Sequence, residues 1–141
     1  WGDVLLLLPW VMVFTIFAWV MSGIINVHEF GDEVAAGLGS AIQRHRMMLI
    51  GVSIALAGAA VSVAGAVGFV GLIGPHLARM LIGRSYVWLI PASAFMGAML
   101  VVTADTIART AFAPLDIPAG VFTSGIGAPF FLYLLFRTRN D

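Results

Sequence analysis

The stretch Gly68-Phe-Val-Gly-Leu-Ile-Gly-Pro-His-Leu-Ala-Arg79 decides the fold, because it places a proline, a histidine and an arginine in sequence otherwise apolar enough for lipid. Polar side chains at membrane depth are costly and usually have a function. Residues 47–82 would span roughly 54 Å as one helix at about 1.5 Å per residue, whereas a bilayer core is about 30 Å thick. We therefore expect one full helix, a re-entrant turn among the glycines at 65, 68, 71 and 74 and Pro75, and a short helix with His76 and Arg79.

Composition indicates a membrane protein. The chain is 61% hydrophobic and only 10% charged, which a soluble domain of 141 residues could not bury. Apolar runs near the length of about 20 residues that a spanning helix needs predict membrane segments at 4–25, 47–67, 87–107 and 119–136, with the short helix at 69–82. We predict an all-α, polytopic membrane protein with about five membrane helices, one of them short and re-entrant-like.

The arginines predict the orientation, because positive charge near the ends of spans marks the cytoplasmic side. Arg137 and Arg139 place the C-terminus in the cytoplasm. Tracing the chain backwards places Arg84 inside and the turn at 65–68 outside. The loop at 26–46 then lies inside with its two arginines, and Arg109 lies outside. The first run lacks the basic n-region and the Ala-x-Ala site of a signal peptide, so we expect the interior and end of a longer protein.

Several function classes are excluded by missing residues. The chain has no lysine, so it lacks the phosphate-binding lysine of a Walker A motif and any ATP must be used by a partner. Zero net charge gives no support for nucleic-acid binding. The absence of cysteine excludes thiol chemistry and cysteine-ligated metals. His28-Glu29 begins like a zinc-protease motif, but Asp32 stands where the second histidine is needed, so no metal site is expected.

Two loops have open interpretations at this point. The cytoplasmic loop contains an acidic, alanine-rich stretch that suits either a short helix in contact with another surface or an ordinary solvated connection. In the outer region, Arg109 follows Asp105 by four residues, so the two could form an intrahelical ion pair. Arg109 could instead be an exposed cation that docks an acidic partner.

Five motifs along the chain are similar to those of one transporter family: Gly68-Phe-Val-Gly-Leu-Ile-Gly-Pro-His-Leu-Ala-Arg-Met80, Leu89-Ile-Pro91, Ala104-Asp-Thr-Ile-Ala-Arg109, Ile117-Pro-Ala-Gly-Val121 and Ile126-Gly-Ala-Pro-Phe-Phe131. In this order they resemble the FecCD permeases, the membrane subunits of ABC importers for iron-siderophores, haem and vitamin B12. The resemblance covers nearly the whole chain and corresponds to the C-terminal half of a ten-helix permease fold.

The resemblance implies roles and partners. It implies a bacterial cytoplasmic membrane location, ATP-binding cassette subunits that use the ATP, an extracytoplasmic substrate-binding protein and a second permease copy, homo- or heterodimeric. Arg109 matches the arginine that docks the binding protein. The residues that match the ATPase-coupling loop are Gly31, Asp32, Glu33, Ala35, Ala36 and Gly39. Phe30 departs slightly from the family pattern, which usually has an aliphatic residue before the glycine.

The last segment resembles the helix that lines the family's translocation path. Gly120, Gly125, Gly127 and Pro129 are therefore expected either to line that path or to pack against other helices. Pro75, His76 and Arg79 are expected to have a structural role or to contact substrate. The alternatives to an importer are a secondary transporter or channel with Asp105 and Arg109 as a relay, a non-transporting scaffold, and a non-functional half-permease fragment.

Overall fold

The computed structural model describes residues 1–29, 31, 33, 37 and 42–140. Within these residues the chain forms six α-helices: α1 (Gly2–Val20), α2 (Ser22–Glu29), α3 (Ile42–Ala64), α4 (Val70–Ile82), α5 (Tyr86–Ala111) and α6 (Ala119–Asn140). No β-strand occurs in this described part of the chain. The all-α fold predicted from the sequence is confirmed.

Among the described residues, four helices are long and apolar enough to cross a membrane: Gly2–Val20, Gln43–Ala64, Tyr86–Ala111 and Ala119–Asn140. The apolar helix α4 has only 13 residues, and a straight helix of that size extends about 20 Å. Large apolar side chains point outward, including Leu5 and Leu81, each 70% exposed. Such extensive apolar exposure indicates a lipid-facing surface. The prediction of about five membrane helices corresponds to four full-length helices and one short helix among the described residues.

The first helix ends earlier than the sequence predicted. We expected one segment over residues 4–25, but α1 ends at Val20 and a single residue, Met21, separates it from α2. Gly23 has lower helix propensity than the residues before it. Hydropathy did not reveal this break because the apolar run continues across it. The side chains of Met21 and Ser22 are buried at the junction.

Packing divides the chain into two compact units. The first comprises Trp1–Val63 and Arg84–Pro91, and the second comprises Ala64–Gly83 and Ala92–Asp141. In the first unit, α1 contacts α2, and α1 and α3 line an apolar cleft with Val13, Phe14, Phe17, Met48, Gly51 and Val52. In the second unit, α4 contacts α6.

A break in the helical backbone separates α3 from α4, where the sequence predicted a turn. Gly65 has a φ of +73°, and Phe69, immediately before α4, has a φ of +65°. This left-handed backbone costs a phenylalanine roughly 1–2 kcal/mol, so packing must hold Phe69 in place. Gly71, Gly74 and Pro75 lie inside α4, which agrees with the short helix predicted over 69–82, so the turn is confined to the residues before Val70. Proline is tolerated in a membrane helix when neighbouring groups satisfy the carbonyl that it frees.

One face of α6 packs against this turn. Gly120, Thr123 and Gly127 are the buried residues of α6. A Cβ atom on Gly120 would collide with the Ala66 carbonyl, and a Cβ atom on Gly127 would collide with the Phe69 side chain. The close approach of α6 to the turn therefore requires glycine at both positions.

A second close approach joins α4 to the part of α5 in the same unit. A Cβ atom on Gly74 would lie 3.2 Å from the Ser93 carbonyl oxygen and 3.4 Å from the Gly97 nitrogen. Gly74 is buried, as is Ala78 one turn later. Small residues thus let the two backbones come together, which is the usual basis of helix packing within a membrane.

We expect Gly120→Val and Gly127→Val each to lower the free energy of unfolding by about 1–3 kcal/mol, because the new side chain would overpack a closed contact. Gly125→Val is the matched control on the same helix, since no described residue outside its own stretch of helix lies within 4 Å of a Cβ built there. Thermal unfolding in detergent would measure the three variants. Equal destabilisation by the control would contradict the assigned packing face.

Candidate functional site

The ion pair near the end of α5 is present. Arg109 Nε donates to Asp105 Oδ2 at 2.8 Å, and the two side chains are 73% and 41% exposed. The pair joins positions one helical turn apart, and Arg109 lies in the last turn of α5, where the helix dipole favours a cation. An exposed pair of this kind contributes little to stability. A guanidinium has five N–H donors, so Arg109 can pair with Asp105 and still present donors to a partner.

A groove of about 450 Å³ lies between α4 and α6 in the second unit, lined by Gly71, Leu72, Pro75, His76, Arg79, Phe131, Leu134, Leu135 and Thr138. The structure thus brings the three predicted residues of α4 together along one groove. The His76 ring packs edge-on against Phe130 with a centroid separation of 5.6 Å. Arg79 makes an interaction within the chain. Both side chains lie at the wall of an open groove.

The predicted residues of α6 fall into two groups. Gly120 and Gly127 are buried against the turn before α4, whereas Gly125 and Pro129 are exposed. Only Gly125 and Pro129 therefore remain available to line a path along the surface of α6. The sequence treated all four residues alike, because hydropathy and glycine content do not reveal which helix face is covered.

Only part of the predicted coupling segment is described. Gly31 has a φ of +108° and is exposed, and Glu33 is exposed. The remaining coupling residues, Asp32, Ala35, Ala36 and Gly39, lie outside the described residues. The helix that leads into this segment is α2, which ends at Glu29.

Sequence reasoning missed two side chains that bind the beginning of α5. Trp19 donates its indole N–H to the Val87 carbonyl at 2.8 Å, and the Asn26 side-chain oxygen accepts from the Tyr86 N–H at 2.9 Å. A signal for the first bond was present in the sequence. Pro91 cannot donate to the carbonyl four residues earlier, so a substitute donor was needed.

Metal-binding groups do not cluster in the described part of the chain. No group of three or more histidine, cysteine, aspartate or glutamate residues there could hold a metal ion.

Comparison with known proteins relates this arrangement to permeases. The probable siderophore transport system permease protein YfhA of Bacillus subtilis (strain 168) is 60% identical over 116 residues, covering 82% of this chain and 34% of that protein. The Fe(3+)-citrate import system permease protein YfmE of the same strain is 44% identical over 142 residues, covering 100% of this chain and 43% of that protein. The hemin transport system permease protein HmuU of Yersinia pestis is 46% identical over 117 residues, covering 83% of this chain and 35% of that protein. The chain spans less than half the length of each of these relatives.

A solved structure gives the same result for the fold. It is an ABC transporter described as metal-chelate type in an inward-facing conformation, with a TM-score of 0.89 and 30% sequence identity. The match covers 96% of this chain and 45% of that chain. The sequence model of the FecCD transport family matches residues 1–137. The chain therefore belongs to the FecCD transport family.

Proposed function

We propose that this chain is the C-terminal portion of a permease subunit of an ATP-driven importer, which moves an iron chelate across the bacterial cytoplasmic membrane by alternating access. The observation that carries this proposal is the match along nearly the whole chain to permeases named for siderophore, Fe(3+)-citrate and hemin transport. Iron held by an organic chelator is the chemistry that these cargoes share. A ferric siderophore is the proposed substrate; haem, which is also an iron chelate, and cobalamin, which is a cobalt chelate, are the alternatives.

ATP is bound and hydrolysed by separate subunits in this proposal. The chain has no lysine with which to form a Walker A motif. The segment from Gly31 to Gly39 would contact the ATPase, and its small residues would permit close packing. Motion driven by nucleotide reaches a membrane subunit only through packed, rigid contacts.

Delivery of the substrate is assigned to an extracytoplasmic binding protein that docks at Arg109. Its 73% exposed side chain supports this role. Gly125 and Pro129 on α6 would line the translocation path together with the equivalent helix of a second permease copy. Their exposure within this chain supports that assignment.

Cysteine labelling tests the proposed orientation, with the C-terminus in the cytoplasm. The chain has no cysteine, so single cysteines can be introduced into a permease whose other cysteines have been replaced. Leu115→Cys should react with a membrane-impermeant maleimide in intact cells, because it follows α5 on the outer side. Ser85→Cys and Asn140→Cys should react only after the membrane is permeabilised. Labelling of Ser85→Cys in intact cells would reverse the orientation.

Charge reversal tests docking at Arg109. In proteoliposomes that contain the permease, its ATPase and its binding protein, Arg109→Glu should lower ATP-dependent uptake of the ferric siderophore about tenfold at limiting binding protein, and less at saturation. Complementary charges mainly accelerate docking, and exposed charges are screened by salt. The difference in uptake between the unchanged protein and Arg109→Glu should therefore become smaller as ionic strength rises.

Asp105→Asn is the matched control for this experiment, because it removes the ion pair and keeps the cation. Uptake close to that of the unchanged protein is expected. If Asp105→Asn and Arg109→Glu reduced uptake equally, the ion pair rather than docking would be the function of Arg109. No ATP-dependent uptake of ferric siderophore, hemin or cobalamin by the unchanged assembly would refute the importer.

The coupling segment can be tested by steric block. Ala36→Trp should prevent close approach of the ATPase, so that the subunits no longer co-purify and uptake falls by about tenfold or more, equivalent to about 1.4 kcal/mol or more of binding. Asn140→Trp places the same side chain elsewhere on the proposed cytoplasmic side and should have little effect. Normal co-purification and uptake with Ala36→Trp would remove residues 31–39 from the ATPase contact.

A further inference from the structure

Two side chains from α1 and α2 hold the first turn of α5. The indole N–H of Trp19 donates to the Val87 carbonyl at 2.8 Å. The side-chain oxygen of Asn26 accepts from the Tyr86 N–H at 2.9 Å. All four residues belong to the first packing unit. We call this pair of hydrogen bonds the α5 joint.

The two backbone groups in the α5 joint are ones that α5 cannot satisfy by itself. Tyr86 is the first residue of α5, so its N–H has no partner within the helix. The Val87 carbonyl would normally accept from the N–H of residue 91, four positions later. Residue 91 is Pro91, which has no N–H. Trp19 therefore supplies a donor, and Asn26 an acceptor, that this turn lacks.

Separation of the α5 joint would be unfavourable in a membrane. Each of the two backbone groups would lose the hydrogen bond that replaces its missing helical partner, and that loss costs free energy. The first turn of α5 should therefore move with the end of α1 and with α2, rather than slide past them.

The α5 joint lies between the proposed coupling segment and the helix that contains Arg109. Asn26 lies about one helical turn before the end of α2 at Glu29, and the proposed coupling residues begin at Gly31. α5 continues from the joint to its last turn, which contains Arg109. The joint thus connects the segment assigned to the ATPase with the helix that bears the docking arginine.

We propose that Trp19 and Asn26 are positioning residues that transmit the ATP-driven movement of the coupling segment to α5. This inference rests on the proposed importer function. Neither residue contacts the substrate or the nucleotide in this role. Loss of the joint should leave ATP hydrolysis in place but separate it from movement of α5, so less substrate crosses the membrane for each ATP consumed.

The test uses the assembled permease, ATPase and binding protein in proteoliposomes, with ferric siderophore uptake and phosphate release measured in the same sample. Trp19→Phe keeps an aromatic ring and removes the N–H donor. Asn26→Leu keeps the size and removes the acceptor. Each should lower the ratio of uptake to ATP hydrolysis about fivefold, the factor that corresponds to one typical hydrogen bond.

Three further variants separate transmission from a general structural role. Asn26→Asp keeps an acceptor and should retain most of the ratio. Pro91→Ala provides an N–H for the Val87 carbonyl from within α5 but does not link α5 to α1, so Trp19→Phe should still lower the ratio on a Pro91→Ala background. Trp10→Phe removes an indole N–H from the same helix, where the ring packs on Phe14 at a centroid distance of 4.7 Å, and should leave the ratio unchanged.

The outcomes distinguish this inference from the proposed function. A lower ratio that Asn26→Asp restores and that Pro91→Ala does not restore would support the joint as a transmission element, whereas restoration by Pro91→Ala would show that only the Val87 carbonyl needs a partner and would overturn it. Uptake and hydrolysis that fall in proportion, or a ratio that does not change, would overturn it while the importer stands. No ATP-dependent uptake by the unchanged assembly would overturn the importer and the transmission role together.

Discussion

A backbone amide or carbonyl in the interior of a bilayer has no water to bind, and this constraint determines how the helices of this chain are joined. Four of the helices in the described part contain a proline, and each proline removes one helical donor. In α5 the missing donor is replaced by the indole of Trp19, a side chain from a distant part of the sequence. The proline that weakens one helix thereby creates a specific attachment point for another. In the first unit, polar satisfaction therefore fixes which helix ends lie together.

In the second unit, close packing of small residues has the corresponding role. Gly74 brings α4 against the backbone at Ser93 and Gly97, and Gly120 brings α6 against the Ala66 carbonyl. Lipid is as apolar as leucine, so the hydrophobic effect drives helices together only weakly in a membrane, and contact area between backbones becomes important. The short helix α4 is held from two sides in this way. Close packing thus fixes the position of α4, which forms one side of the groove between α4 and α6.

The sequence contained most of the fold, because the spacing of apolar runs and the glycine and proline residues report directly on membrane helices and turns. It predicted the start of the short helix to within one residue, and it predicted the break between α3 and α4. It did not predict the interruption at Met21, since hydropathy is continuous there, or the burial of Gly120 and Gly127 as distinct from Gly125. Those features depend on which face of a helix another element covers. The ion pair of Asp105 and Arg109 could be read from spacing, whereas the bonds of Trp19 and Asn26 link residues 60 or more positions apart, which local patterns cannot reveal.

The contact between Phe69 and Gly127 has a consequence for how this sequence can change over time. Phe69 occupies a strained left-handed conformation and places its side chain where any atom beyond hydrogen at position 127 would collide. The same ring lies 6.3 Å from that of Phe131, measured between centroids. A smaller residue at 69 would leave a void, and a larger residue at 127 would have no room, so a substitution at either position alone is unfavourable. The two sites should vary as a pair among descendants of this protein, with bulk exchanged from one to the other.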